Sequence, residues 1–170
     1  SQSRIIATDT RTRVFPARSI IRILLASNRY FLSGGPERYL FAVQRLLTER
    51  GHEVTPFALR YARNEPCAEA DYFPPAPLDE NFVLHGDRPL SSTERARLAL
   101  KVMRNDEVRR AAMRVLREKK IEVVFALQIA HYLYPELILA AHEVGVPVVM
   151  RLSDFQMICP AYNCLRNGKP

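Results

Sequence analysis

Residues 20–59 read IIRILLASNRYFLSGGPERYLFAVQRLLTERGHEVTPFAL. Ile21–Ala26 is a near-continuous apolar run, the pattern of a strand buried on both faces of a parallel sheet. Pro36–Arg50 predicts a helix whose inward stripe is Leu40, Val43, Leu46 and Leu47. Gly51 stands just past its end, where a helix C-cap belongs. Glu53–Leu59 predicts a second strand. Pro56 inside it removes a backbone donor, so that strand belongs near a sheet edge or a bulge. Between first strand and helix lie Gly34 and Gly35, which can take positive φ and let another group approach the backbone. Pro36 is preset for the first helical turn, which aims its positive end at the same place. The loop matches neither the G-x-G-x-x-G fingerprint nor a Walker loop. A tight turn explains the glycines, and so does a phosphate near the backbone; both readings stay open.

Working outward, Arg60–Leu90 is rich in proline and turn residues, with a short strand expected at Asn81–Leu84. Ile121–Ala126 predicts a strand, Leu133–Glu143 a helix and Val146–Leu152 another strand. Strand and helix alternating at this spacing give βαβ units on a parallel sheet. The fold class is α/β: a Rossmann-like open parallel sheet with helices on both faces. Ligands of such sheets bind beyond the carboxyl ends of the strands. Asn28–Pro36, Leu127–His131 and Ser153–Pro160 leave the strands at that end.

The chain has 170 residues and 48% apolar composition, enough for one domain with a proper core. Residues 1–18 read as a polar, disordered arm and 19–170 as the domain. No apolar run approaches the roughly 18–20 residues that span a bilayer, and no signal-peptide pattern opens the sequence. Three cysteines are too few for a disulfide scaffold and favour a reducing cytoplasm. Cys159 and Cys164 lack the two further ligands a zinc site needs, so no metal is expected.

The net charge of +7 has a local source, because Glu94–Lys120 holds ten Lys/Arg against four Asp/Glu. Leu98, Val102, Ala112, Val115 and Leu116 recur there with helical spacing, as in one or two amphipathic surface helices. Arg95, Arg97, Lys101, Arg104, Arg109, Arg110, Arg114 and Arg117 form its basic face. They are either a solvated face or an anionic-surface contact, such as a peripheral contact with the inner face of the membrane. Charge alone would be the support for nucleic acid, which is not expected as a partner.

Two blocks carry a resemblance. The first has Gly34, Gly35, Glu37 and Arg38, a helix, then Gly51-His52-Glu53-Val54. The second runs from Ile121 through Gly145, Pro147, Val148 and Val149 to Ser153-Asp154-Phe155 and Ile158-Cys159-Pro160. In order and spacing they resemble the N-terminal domain of family 4 glycosyltransferases, retaining enzymes with two Rossmann-like domains. The resemblance implies a nucleotide-sugar donor, held mainly by a C-terminal domain that would follow Pro170, and no cofactor. It implies a glycan or lipid-linked acceptor on this domain, and inactivity of this stretch alone. It also implies that Gly34 and Gly35 approach the donor diphosphate.

Ser153 stands where many members have histidine, and it cannot carry a proton as an imidazole does. Asp154 either holds an acceptor hydroxyl or caps a turn. These two are the catalytic candidates. Gln128, His131 and Tyr30 are the acceptor-binding candidates, each with a packing role as the alternative. His52, opening a strand away from the carboxyl ends, reads as structural. The reading from a different class is a non-catalytic Rossmann-like module whose basic helix meets an anionic surface.

Overall fold

A computed structural model describes residues 20–81, 89–152 and 164. The polar arm, most of the short strand expected over Asn81–Leu84, and the catalytic candidates Ser153 and Asp154 lie outside the described residues. The elements run β1 (Arg22–Ser27), α1 (Gly35–Glu49), β2 (Glu53–Phe57), α2 (Ser92–Met103), α3 (Asp106–Glu118), β3 (Val123–Gln128), α4 (Glu136–Val144) and β4 (Val148–Met150). All strand pairs are parallel, in the order β2-β1-β3-β4. The chain is therefore a Rossmann-like α/β domain, with its direction of winding reversing between β1 and β3.

β1 is central, and Ile23–Ser27 is buried throughout. Alternation sends its side chains to two cores. Leu25 joins Leu40 of α1, Tyr30, Ala58, Phe73 and Leu127 on one face. Leu24 and Ala26 join Val108, Val115 and Leu116 of α3 and Leu137 and Ala140 of α4 on the other. β2 is the outer strand, as Pro56 requires. The Glu53 N–H donates to the Ile21 carbonyl at 3.1 Å, so by alternation the nitrogen of Pro56 faces away from β1. Beyond β2, among the described residues, a single bridge from Arg60 to Pro75 continues the pairing.

Several boundaries differ from the sequence pattern. The inward stripe of α1 is Glu37, Leu40, Phe41, Val43, Gln44 and Leu47, each buried or half-buried, while Leu46 is 45% exposed. The stripe starts at Glu37, which the apolar pattern alone does not mark. The basic segment forms two helices. Ser91 and Glu94 make a capping box at the start of α2, and Asn105 caps α3 through the Val108 N–H at 3.4 Å. Among the described residues the left-handed glycines are Gly51 (φ 85°) and Gly145 (φ 78°), at the C-termini of α1 and α4. The Gly51 N–H donates to the Thr48 carbonyl and the His52 N–H to that of Leu47, closing α1. His52 Nδ1 accepts from the Ile21 N–H at 3.4 Å, a structural role at the amino end of the sheet.

Candidate functional site

The winding reverses between β1 and β3, and open parallel sheets bind ligands beyond the carboxyl ends of the strands at such a point; the β1–α1 loop (28–34) and the β3–α4 loop (129–135) leave the two strands there. The two loops are bonded to each other. The Asn28 N–H donates to the Gln128 carbonyl at 2.7 Å, and Asn28 Nδ2 donates to the Ala130 carbonyl at 2.6 Å. Asn28 Oδ1 is buried with no hydrogen-bond partner among the described residues. β3 is bulged here: Ala126 pairs with Ala26 but Gln128 with Ser27, leaving Leu127 as an extra residue. Bulges of this kind re-aim side chains at strand ends.

The glycine loop ends as the N-terminus of α1. Gly34 is the N-cap, with φ −176°, and Pro36 follows in the first turn. Neither Gly34 nor Gly35 has positive φ, so the expected left-handed turn is not there; Gly34 is simply extended. What distinguishes the pair is space. A Cβ on Gly35 meets nothing within 4 Å, and one on Gly34 makes only ordinary contacts, the nearer at 3.6 Å to Glu37 Oε2. The first-turn amides of a helix lack intrahelical acceptors, which makes this an anion-attracting end.

Charged side chains gather around it. Glu37 is 2% exposed, and its Oε1 lies 3.8 Å from Arg29 Nη1. Arg29 also donates to Ser33 Oγ at 3.3 Å. An acid suits a helix N-terminus, and Arg29 offsets its charge. Arg151, just past β4, stacks over the Tyr39 ring at 4.0 Å on the same first turns of α1. Arg63, from the segment after β2, lies over Phe31 at 4.8 Å, and Phe31 meets Tyr61 edge-on at 5.9 Å. Burial pushes the Tyr61 phenol up to about 12, against the opposing charge of nearby Arg29.

The acceptor candidates divide. Gln128 is half-buried at the end of β3, and its side chain makes no hydrogen bond among the described residues. His131 is half-buried in the β3–α4 loop with φ 74°, its ring 6.2 Å from that of Tyr132. That left-handed backbone is uncommon for a side-chain-bearing residue and is the kind of strain found at functional sites. Tyr30 does not belong with them. It is 5% exposed, packs on Phe41 and Phe73, and donates its hydroxyl to Gln44 Oε1 at 3.1 Å. Burial raises its phenol pKa, and the bond to Gln44 opposes this. Tyr30 is a core residue because the chain leaves β1 after Ser27 and its course, not strand alternation, carries the ring under α1 beside Leu25 and Leu40. Asn28, Arg29, Glu37 and Arg151 are the site residues that sequence reasoning missed. The Gly-Gly-x-Glu spacing was the signal for Glu37; Arg151 had none.

The eight basic candidates lie elsewhere, on α2, on α3 and, for Arg104, at the junction between them. Lys101 pairs with Glu107 at 2.9 Å and Arg104 with Asp106 at 2.9 Å. Arg109 reaches Glu143 at 2.6 Å and Glu136 at 3.7 Å, and Arg114 reaches Glu118 at 3.2 Å. Arg95, Arg97, Arg110 and Arg117 are exposed and make no ion pair among the described residues. Arg109, Arg110, Arg114 and Arg117 line an open groove of about 490 Å³ with Met113, Glu118 and Glu143. No group of three or more His, Cys, Asp or Glu that could hold a metal occurs among the described residues.

No family model and no curated protein matches the chain. Among solved structures it is similar to MurG of Acinetobacter baumannii, with a TM-score of 0.40 and 19% identity over 76% of this chain. The match covers 34% of the MurG chain, so this chain spans about a third of that protein's length.

Proposed function

We propose that the chain is the acceptor-side Rossmann-like domain of a retaining glycosyltransferase, which moves a sugar from a nucleotide-sugar to a glycan or lipid-linked acceptor. The observation that carries this reading is the β1–α1 loop. It brings an uncrowded glycine and the N-terminus of α1 to the carboxyl end of the sheet where the winding reverses, and its residues are those of the Gly-Gly-x-Glu-Arg pattern. In this reading the first-turn amides of α1 stabilise the donor diphosphate without bulk. Arg29 and Arg151 add positive charge beside them. Gln128 and His131 contact the acceptor from the β3–α4 loop, and Asn28 fixes that loop against the glycine loop. Ser153 and Asp154 complete the catalytic side.

The test is release of nucleoside diphosphate from a panel of nucleotide-sugars by the intact protein, with a glycan and a lipid-linked acceptor supplied in turn. Acceptor-dependent release with at least one donor is the expected result. A folded intact protein that releases nothing from any of them overturns the reading. The 170-residue stretch alone is expected to be inactive in the same assay.

A further inference from the structure

The segment that leaves the carboxyl end of β2 is tied to the β1–α1 loop. The Leu59 N–H donates to the Asn28 carbonyl at 3.4 Å, and the Glu65 N–H donates to the Tyr30 carbonyl at 2.7 Å. Between these ties the Asn64 N–H donates to the Tyr61 carbonyl at 3.1 Å, and Asn64 Nδ2 donates to the Leu59 carbonyl at 2.8 Å. The backbone that carries Tyr61 and Arg63 is therefore held at both ends. Two polar groups on it are left over. Arg63 is exposed and makes no ion pair among the described residues. Tyr61 is 6% exposed, yet its hydroxyl makes no hydrogen bond among the described residues. A buried phenol usually finds a partner. Phe31 joins the two groups, with its ring 4.8 Å from the Arg63 guanidinium carbon and 5.9 Å from the Tyr61 ring. Phe31 and Tyr61 pack into the core beneath α3 and α4, whereas α1 covers the other core. Burial raises the Tyr61 phenol, nearby Arg29 opposes the rise, and Tyr132, the neighbour of His131, adds to it. The hydroxyl thus keeps its proton at neutral pH and lies beside the β3–α4 loop.

We propose that Arg63 and the Tyr61 hydroxyl form a subsite for an anionic oxygen group, carboxylate or phosphate, carried by the acceptor. The inference rests on the transferase reading and names the class of its acceptor, an acidic or phosphorylated sugar. The Arg63 guanidinium offers a planar fork of donors that fits either group, and the Phe31 ring behind it orients that fork. The phenol adds a neutral donor that the anion need not deprotonate. The donor diphosphate does not account for the pair, because its amides stand at the N-terminus of α1, over the other core. A neutral sugar would occupy the Tyr61 hydroxyl and leave Arg63 without a counter-charge. Packing of Arg63 on Phe31 explains where the arginine lies, but not why the Tyr61 hydroxyl beside it is left unbonded.

The experiment is calorimetric titration of the intact protein with methyl glucuronide, methyl glucoside 6-phosphate and neutral methyl glucoside. At least one acidic probe should bind about tenfold more tightly than the neutral one. Arg63→Gln should abolish that preference, and Tyr61→Phe should weaken the acidic probe about fivefold while leaving the neutral one unchanged. Arg63 is exposed and Tyr61→Phe keeps the buried ring, so both variants should melt at the wild-type temperature near neutral pH. Preference for the glucuronide assigns a carboxylate, and preference for the ester assigns a phosphate. Equal binding of all three probes, no binding of either acidic probe, or a preference that survives Arg63→Gln overturns the proposal. Release of nucleoside diphosphate, measured in parallel, separates this inference from the reading beneath it. An Arg63-dependent preference in a protein that releases nothing from any nucleotide-sugar leaves the anionic subsite standing and removes the transferase. Release with a neutral acceptor that Arg63→Gln does not change leaves the transferase standing and removes the subsite.

Discussion

His131 and Tyr61 show how much one residue's environment says beyond its identity. The imidazole of His131 is carried on a left-handed backbone (φ 74°), and asparagine tolerates that conformation well. His131→Asn should therefore keep stability within about 1 kcal/mol. If the imidazole meets the acceptor, the same change raises the acceptor KM of the intact protein at least tenfold; an unchanged KM removes His131 from the site. Tyr61 is 6% exposed, with its phenol raised to about 12 by burial. A phenol whose pKa is higher folded than unfolded stabilises the fold fully below the unfolded value near 10. That stabilisation, on the order of 2–3 kcal/mol, is lost as pH rises from there through the folded value. Thermal melts between pH 9 and 12 should fall less steeply for Tyr61→Phe than for the wild type. At this scale the sequence was half legible. Gln128 and His131 stand at the carboxyl end of β3 and in the loop after it because they follow an apolar strand. Tyr30 also follows one, and it is core, because which face a residue takes after a strand depends on the chain's course and not on its neighbours.

At the scale of elements, capping chemistry explains what periodicity blurred. The segment Glu94–Lys120 reads by spacing as one or two helices, and it forms two: Arg104 is extended and Asn105 caps a new helix. Asn105-Asp106-Glu107 is an N-terminus signature in the sequence itself. The two caps should differ in consequence. Asn105 is 4% exposed, and its N–H donates to Glu136 Oε1 at 3.4 Å, so Asn105→Ala should lower global stability by about 1–2 kcal/mol. Ser91 is exposed and caps a helix held to the core mainly by Leu98. Ser91→Ala should speed amide hydrogen exchange in α2 while leaving the global melt almost unchanged. Equal effects on exchange in α2 and α4 would contradict that ordering. The glycine loop teaches the opposite lesson. Its sequence suggested left-handed backbone, but a proline-started helix needs only an extended N-cap, and among the described residues the left-handed glycines are the helix-terminal Gly51 and Gly145.

For the whole molecule, the alternation of apolar runs and helical stripes sufficed for a parallel α/β sheet. Pro56 sufficed to put β2 at the edge. The order β2-β1-β3-β4 did not follow from any single run, since strands buried on both faces look alike. It matters because it decides which loops meet: Asn28 joins Gln128 and Ala130 only when β1 lies beside β3. The surface charge was legible in amount but not in use, because ion pairs across α2, α3 and α4 engage half of the eight basic candidates. The central claim is that the β1–α1 loop serves a phosphate and not merely a turn. Gly35 offers a clean test, since a Cβ there meets nothing and has no positive φ to strain. Steady-state kinetics of nucleotide-sugar turnover by the intact Gly35→Ala protein, beside its thermal melt, is the most direct measurement. The account predicts an unchanged or slightly higher melting temperature and a rate lowered by about 10²–10³-fold, with Gly34→Ala less affected. Wild-type turnover by a folded Gly35→Ala protein would contradict it.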